Sequence, residues 1–388
     1  AQDTDGRLLL LVDDPLSALQ RVAAWWRRHH RARVLAVAGS VGKTTTKELL
    51  ANILDRRFRV LRTPGNFNNE LGLPITLLHL TPEHQKVALE IGISDVGEMA
   101  TFAAIGRPDV AVITRIAAEH MHHLKDLDTV EQEEGRLVEA LSSAGVAVLN
   151  ADDERVARMA DRTPARVVSY GESDGADVRG SGVESLGLDG LAFDLHLGQR
   201  DRGRRVRLPL VGRHFVTAAL AATTAAFEEG CAWEDVVAGL SRAPATRRLE
   251  PRTLLGGVTL LDDSYNASPD STMAALDVLA ALPGRRIAVL GDMLELGDYA
   301  ATAHRQVGAY VPGHADLLVT VGDLSRETAA AAQAAGLPAD CVYPYGTSEA
   351  VPGFLRDMLV AGDNVLVKAS HGMRLDTIAR ALAGASGP

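Results

Sequence analysis

Apolar residues recur along this chain in two alternating forms: short continuous runs, and longer stretches that are apolar on one face only. Val34-Leu35-Ala36-Val37-Ala38 is of the first kind and Glu48–Leu54 of the second. Short β-branched runs predict strands buried on both faces, and the periodic stretches predict helices. Strands are expected at Arg33–Gly39, Phe58–Leu61, Val87–Ile93, Val110–Ile116, Val146–Leu149 and Val167–Tyr170. Helices are expected between them at Thr45–Leu54, Asn69–Leu78, Gly97–Ile105 and Thr129–Ala140. From Asp177 to Leu210 short runs broken by Gly, Asp and Arg predict antiparallel hairpins, followed by helices at Phe215–Glu228 and Trp233–Ser241.

A boundary is expected near Ala243-Pro244-Ala245, after which a second alternating series begins. Its strands are expected at Gly257–Leu261, Arg286–Leu290, Leu317–Val321, Cys341–Tyr345 and Asn364–Lys368. Its helices are expected at Asp270–Ala281, Ala301–Val311, Ser325–Ala335, Ser348–Val360 and Arg374–Ala383. Ahead of both series, the apolar run Leu8–Val12 and the helical pattern Pro15–His30 read as a final strand and a linker helix. The fold class is therefore α/β. Residues 1–31 are a remnant and linker, 32–243 a central parallel-sheet domain, and 244–388 a doubly wound, Rossmann-like domain. In such sheets ligands sit at the carboxyl ends of the strands.

At that position on the first strand stands Gly39-Ser40-Val41-Gly42-Lys43-Thr44-Thr45. The glycines let the backbone turn and approach a ligand, and a helix N-terminus follows that favours an anion. Lys43 suits terminal phosphates and the Thr44 hydroxyl suits Mg²⁺. The general phosphate-loop pattern has a glycine where this chain has Val37.

Composition leaves that picture in place and narrows the partners. The 388 residues carry a net charge of −10, with 46% apolar, 23% charged and 4% aromatic residues. That balance is ordinary for a globular protein and argues against a general nucleic-acid binder. The two cysteines, Cys231 and Cys341, lack zinc or disulfide spacing, which fits a reducing cytoplasm. No apolar run reaches membrane-spanning length and no signal-peptide pattern is expected.

Further polar positions fall at strand ends. Glu90, closing Ala88-Leu89-Glu90-Ile91-Gly92, is either a Mg²⁺ ligand or a solvated strand-end charge. His120 lies in Ala118-Glu119-His120-Met121-His122-His123, whose spacing makes no closed tetrahedral set. Asn66, Asn68 and Asn69 follow a glycine turn and read as a polar ligand surface, with Asn69 equally suited to cap a helix. Asp262 and Asp263 are more acidic than capping requires, and Arg248 sits at the hinge, within reach of a nucleotide phosphate if the domains close.

These runs, with Leu290-Gly291-Asp292-Met293-Leu294-Glu295-Leu296-Gly297 and Lys368-Ala369-Ser370-His371-Gly372-Met373-Arg374, resemble the Mur ligases. Within that group the likeness is to members that join D-alanyl-D-alanine to a UDP-linked muramoyl tripeptide. The resemblance implies an ATP-dependent amide ligase of peptidoglycan synthesis, monomeric and cytoplasmic, that proceeds through an acyl phosphate. It implies catalytic roles for Lys43, Glu90 and His120. It implies Mg²⁺ on Thr44, Glu90 and His120, nucleotide contacts from Gly39–Thr45, Arg248, Asp262, Asp263 and Asn266, and substrate contacts from Asn66, Asn68, Asn69, His371 and Arg374.

The chain departs from the family in three places. Only the end of the UDP-binding domain is expected here, in residues 1–31. A lysine, often carbamylated, should follow His120 by fourteen residues, where this chain has Glu134. Glu134 either keeps that negative charge near a second Mg²⁺ or is a solvated helix charge. Gly212-Arg213-His214-Phe215-Val216-Thr217-Ala218 lacks the two asparagines expected near adenine. Two rival readings stay open: a related amino-acid ligase, and a nucleotide-binding protein that has lost ligation.

Overall fold

The computed structural model describes residues 10–384 apart from 119, 199–201, 243–248 and 255. Among the described residues nine strands form the first sheet: β1 (Arg33–Ala38), β2 (Val60–Arg62), β3 (Lys86–Glu90), β4 (Val110–Ile113), β5 (Val146–Asn150), β6 (Arg166–Gly171), β7 (Val178–Ser185), β8 (Leu191–Leu197) and β9 (Arg204–Leu208). Their order is β2-β3-β1-β4-β5-β6-β7-β8-β9. Pairing is parallel from β2 through β7, and β8 is antiparallel to both β7 and β9. The expected hairpins thus extend the same sheet.

Period-two alternation explains why β1 is apolar throughout. Leu35 and Val37 pack into one core layer with Leu49, Leu50 and Ile53 of the helix Lys43–Leu54. Val34, Ala36 and Ala38 pack into the opposite layer with Leu73, Phe102 and Leu137. A strand covered on both sides carries no polar face. The helix Phe215–Glu228 is rich in buried alanines, which permits close approach to its neighbours.

The second sheet comprises β10 (Glu250–Thr253), β11 (Thr259–Asp263), β12 (Arg286–Gly291), β13 (Leu317–Val321), β14 (Val342–Tyr345) and β15 (Asn364–Lys368), in the order β10-β11-β15-β12-β13-β14. All its pairs are parallel except β10 with β11. The first core layer continues into this domain through Leu249, Leu261 and Ala275.

Two expectations shift. Leu10–Val12 lies outside any strand, with Leu10 72% and Leu11 83% exposed. The helix expected from Asn69 begins at Gly72, because Asn69 Oδ1 accepts the N–H groups of Leu71 (3.3 Å) and Gly72 (2.9 Å) and so ends the preceding turn.

His304 ties the loop after β12 to its helix. Its Nε2 accepts the Met293 N–H at 3.0 Å and its Nδ1 lies 2.8 Å from the Ala300 carbonyl, a pairing that suits a neutral ring. Burial holds its pKa below the ordinary value of 6.5. The stability this ring contributes is present above the unfolded pKa and is lost as pH falls through the folded one. The thermal midpoint is therefore expected to drop on the acid side of 6.5. His304→Gln, which removes the proton site, is expected to flatten that slope; an equal slope in both proteins contradicts the assignment.

Candidate active site

The turn after β1 is shaped by two left-handed glycines, Gly39 at φ 111° and Gly42 at φ 93°. A Cβ on Gly39 would stand 2.4 Å from Thr114 Oγ1, so only glycine fits there. Ser40 N–H donates to the Arg115 carbonyl (2.7 Å), and Ser40 Oγ accepts the Ala117 N–H (3.0 Å). The turn is thereby bound to the strand-end loop of β4. Gly42 starts the helix Lys43–Leu54 without a side-chain cap, so the first amides of the helix face the crevice as an anion cradle. Lys43 Nζ donates to the Ser40 carbonyl at 3.2 Å. Behind the turn, Glu134 is 2% exposed and its Oε2 accepts the Gly39 N–H at 2.9 Å.

Glu90, at the carboxyl end of β3, is 1% exposed. Its Oε1 accepts from Thr44 Oγ1 (3.0 Å) and Asn68 Nδ2 (2.8 Å), while Oε2 is buried with no hydrogen-bond partner among the described residues. Lys47 Nζ stands 3.7 Å from that oxygen, but donates to Glu48 Oε1 (2.6 Å) and to the carbonyls of Thr63 (2.8 Å) and Gly65 (3.3 Å). All three ammonium protons are engaged there, so the lysine lends charge without claiming the oxygen. An unpartnered buried carboxylate oxygen beside a threonine hydroxyl fits a hard cation. Among the described residues no three His, Cys, Asp or Glu side chains form a metal cluster. The protein would therefore hold Mg²⁺ by few ligands, leaving the others to phosphate oxygens and water.

Lys47 is wholly buried and joins the phosphate-loop helix to the asparagine loop. Lys47→Met would leave two carbonyls and two carboxylates with a lost charge partner. A loss of about 3 kcal/mol in unfolding free energy is expected, read from denaturant midpoints; a midpoint equal to wild type contradicts this.

The facing wall comes from the second domain. At the paired carboxyl ends of β11 and β15, Lys368 Nζ donates to Asp263 Oδ2 (2.5 Å) and to the Asn266 carbonyl (2.8 Å). The cavity between the domains has a volume of about 550 Å³. It gathers Ser40–Thr45, Asn66, Asn68, Glu90, His120, Asp263, Asn266 and His371 of the expected site residues. Gly39 and Glu134 back the phosphate loop instead of lining the cavity. Asn69 caps its helix, Asp262 Oδ1 accepts from Ser264 N–H (3.2 Å) and Oγ (2.6 Å), and exposed Arg374 lies beyond the lining. Arg248 lies outside the described residues. Where the asparagines were expected, His214, Phe215, Thr217 and Ala218 line the wall with Tyr170.

Several lining residues had no role in the sequence reading. Arg115 Nη2 reaches Asp270 Oδ2 at 3.6 Å across the crevice, and Thr114, Tyr265, Glu295 and Lys368 line it. Glu295 and Lys368 stand inside runs that carried the resemblance, which was the available signal. Arg115 carried none.

Fold and site together define a two-domain, nucleotide-binding α/β protein, whose phosphate loop is faced by a second parallel-sheet domain. The Mur ligase middle domain matches residues 37–226, and the Mur ligase, glutamate ligase domain matches residues 247–371. The UDP-N-acetylmuramoyl-tripeptide–D-alanyl-D-alanine ligase of Bacillus subtilis is 34% identical over 97% of this chain and 82% of its own length. The ligase of that name from Escherichia coli is 35% identical, over 96% of this chain and 82% of its own length. Among solved structures, MurF from Acinetobacter baumannii superposes with a TM-score of 0.88 at 31% identity, covering 99% of this chain and 84% of that one. The chain belongs to the Mur ligase family. It is an ATP-dependent ligase that works with Mg²⁺. No described helix is long and apolar enough to cross a membrane.

Proposed function

We propose that this chain joins D-alanyl-D-alanine to the UDP-linked muramoyl tripeptide, driven by ATP, in peptidoglycan precursor synthesis. Curated relatives of that activity match nearly its whole length, and Glu90 offers an unpartnered carboxylate oxygen beside the phosphate loop in the inter-domain cavity. That juxtaposition is the observation that carries the reading.

The γ-phosphoryl group of ATP passes to the tripeptide carboxylate, giving ADP and an acyl phosphate. The amine of D-alanyl-D-alanine then attacks the acyl carbon, loses a proton, and inorganic phosphate leaves as the amide forms. Little covalent chemistry is asked of the protein; positioning and charge stabilisation dominate. The amides of Gly42–Thr45 cradle the phosphates and Lys43 meets the charge that spreads over the γ-oxygens. Thr44, Glu90 and His120 would hold Mg²⁺, which when bound neutralises phosphate charge. Asn66 and Asn68 orient the muramoyl peptide, with Asn69 shaping their loop, and His371 serves the same substrate from the facing domain, with Arg374 outside the cavity. Asp263, Asn266 and Arg248 serve the nucleotide, and Asp262 shapes their loop through Ser264. The walls of the two domains exclude water from the acyl phosphate.

In this reading the boundary falls at 243/244, the protein acts as a monomer, and it works in the cytoplasm, where ATP and UDP-linked precursors are found. Glu134 supplies negative charge beneath the phosphate loop and, through the Gly39 N–H, shapes the turn that would face a second Mg²⁺. Glu134→Gln keeps the shape and an acceptor for the Gly39 N–H. It is expected to lower kcat about tenfold or more and to alter the Mg²⁺ dependence; unchanged kinetics in this variant remove the role.

The test of the function is phosphate release with ATP, the UDP-muramoyl tripeptide and D-alanyl-D-alanine, each omitted in turn. Release that needs all three is expected. ATP binding without release, or release with a different amino acid in place of the dipeptide, contradicts the proposal.

A further inference from the structure

The run Gly291–Gly297 has no part in the ligation steps above, yet the structure builds it with care. It is fastened to the rest of the second domain at three successive residues, once by a side chain and twice by backbone N–H groups. Asp292 Oδ1 accepts the Ser325 N–H (2.7 Å), Met293 N–H donates to His304 Nε2 (3.0 Å), and Leu294 N–H donates to Ser370 Oγ (2.9 Å). Glu295 then turns outward at φ 65°, with its side chain 66% exposed. Facing it from the first domain is His120, also left-handed at φ 50°. Residues with a Cβ are uncommon in that region, and they persist where surroundings hold them.

The two turns meet at more than one point. His120 Nδ1 lies 2.7 Å from Glu295 Oε2, and the His122 N–H donates to the Glu295 carbonyl at 3.4 Å. A Cβ on Gly297 would stand 3.2 Å from His122 Cα, so a glycine there lets the turns close. The Arg115–Asp270 ion pair at 3.6 Å bridges the same two domains elsewhere along the cavity.

We propose that Glu295 is the positioning residue through which the second domain, on closing, docks onto the His120 turn and holds that imidazole at the crevice. The proposal rests on the ligase reading for its kinetic consequence and on geometry alone for its conformational one. Domain interfaces within a chain are polar and mobile by default. A contact made only in the closed state shifts the open–closed balance by its own free energy. His120 is thereby placed for the reaction only when the second domain is in position.

The experiment attaches one dye to each domain and reads the closed-to-open ratio by energy transfer, with ADP and Mg²⁺ as the probe. Glu295→Ala is expected to lower that ratio about threefold to tenfold. In turnover it is expected to lower kcat by a similar factor while KM for ATP stays within about twofold. Glu295→Gln keeps an acceptor at the same reach and is expected to recover part of both losses. An unchanged closed-to-open ratio in Glu295→Ala overturns the proposal, whatever kcat does. Should wild type release no phosphate from the three substrates, the ligase reading falls, and the energy-transfer ratio still decides the latch.

Discussion

Lys43→Ala is expected to lower kcat for phosphate release by about a thousandfold, with the thermal midpoint little changed. Lys43 opens the helix Lys43–Leu54 at the phosphate loop, and its ammonium reaches back to the Ser40 carbonyl at 3.2 Å. That reach keeps a compact charge over the loop before nucleotide arrives, so no reorganisation is needed when the phosphoryl group moves. Charge that develops on the γ-oxygens inside a walled cavity is stabilised far more strongly than in water. Lys43→Arg is expected to fail nearly as badly, because a planar guanidinium cannot replace a point charge on a flexible stem. Turnover by Lys43→Ala at the wild-type rate, measured by phosphate release at saturating ATP, would show that the loop is not the phosphate site.

Glu90→Gln is expected to lower kcat about a hundredfold or more and to move half-maximal Mg²⁺ to higher concentration. The stability of the same variant carries the sharper information. The buried Oε2 of Glu90 lacks a hydrogen-bond partner among the described residues, and such an atom costs about 1–3 kcal/mol. Lys47 at 3.7 Å lends charge but no hydrogen bond, so it offsets that cost only in part. Removing the charge should therefore leave unfolding free energy equal to wild type or higher, while activity collapses. Thr44 and Asn68 keep an amide oxygen to donate to, so the packing of the asparagine loop survives. A variant that loses stability and keeps its Mg²⁺ dependence would mark Glu90 as a structural charge.

The legible part of this protein was the part written locally. Gly39, Gly42, Lys43 and Thr44 lie within six residues, and the strand before them is apolar on both faces. Turn, helix start and phosphate chemistry therefore follow from neighbours in the chain. Glu90 was legible as a strand-end carboxylate, but its unpartnered oxygen was not, since that depends on where Lys47 spends its protons.

The asparagine loop shows how two uses of one residue type separate only in three dimensions. Asn68 donates to Glu90 and lines the cavity, whereas Asn69, next in sequence, caps the helix Gly72–Leu78. Gly72, where that helix starts, packs onto the Phe67 backbone, and a Cβ there would stand 2.5 Å from Phe67 Cα. The contacts across the crevice were not legible at all. His120 and Glu295, or Arg115 and Asp270, are more than 150 residues apart, and nothing in periodicity reports a distance between domains. Glu134 lay between: the acidic residue was visible, but its burial under Gly39 was not.

The proposed reaction turns on an acyl phosphate made in the cavity between the two domains. Its most direct test labels the acceptor carboxylate of the tripeptide with heavy oxygen and measures the label in released phosphate by mass spectrometry. One labelled oxygen in the phosphate is expected for each amide formed, with ADP as the nucleotide product. Phosphate without label, or label carried off in AMP, would contradict it.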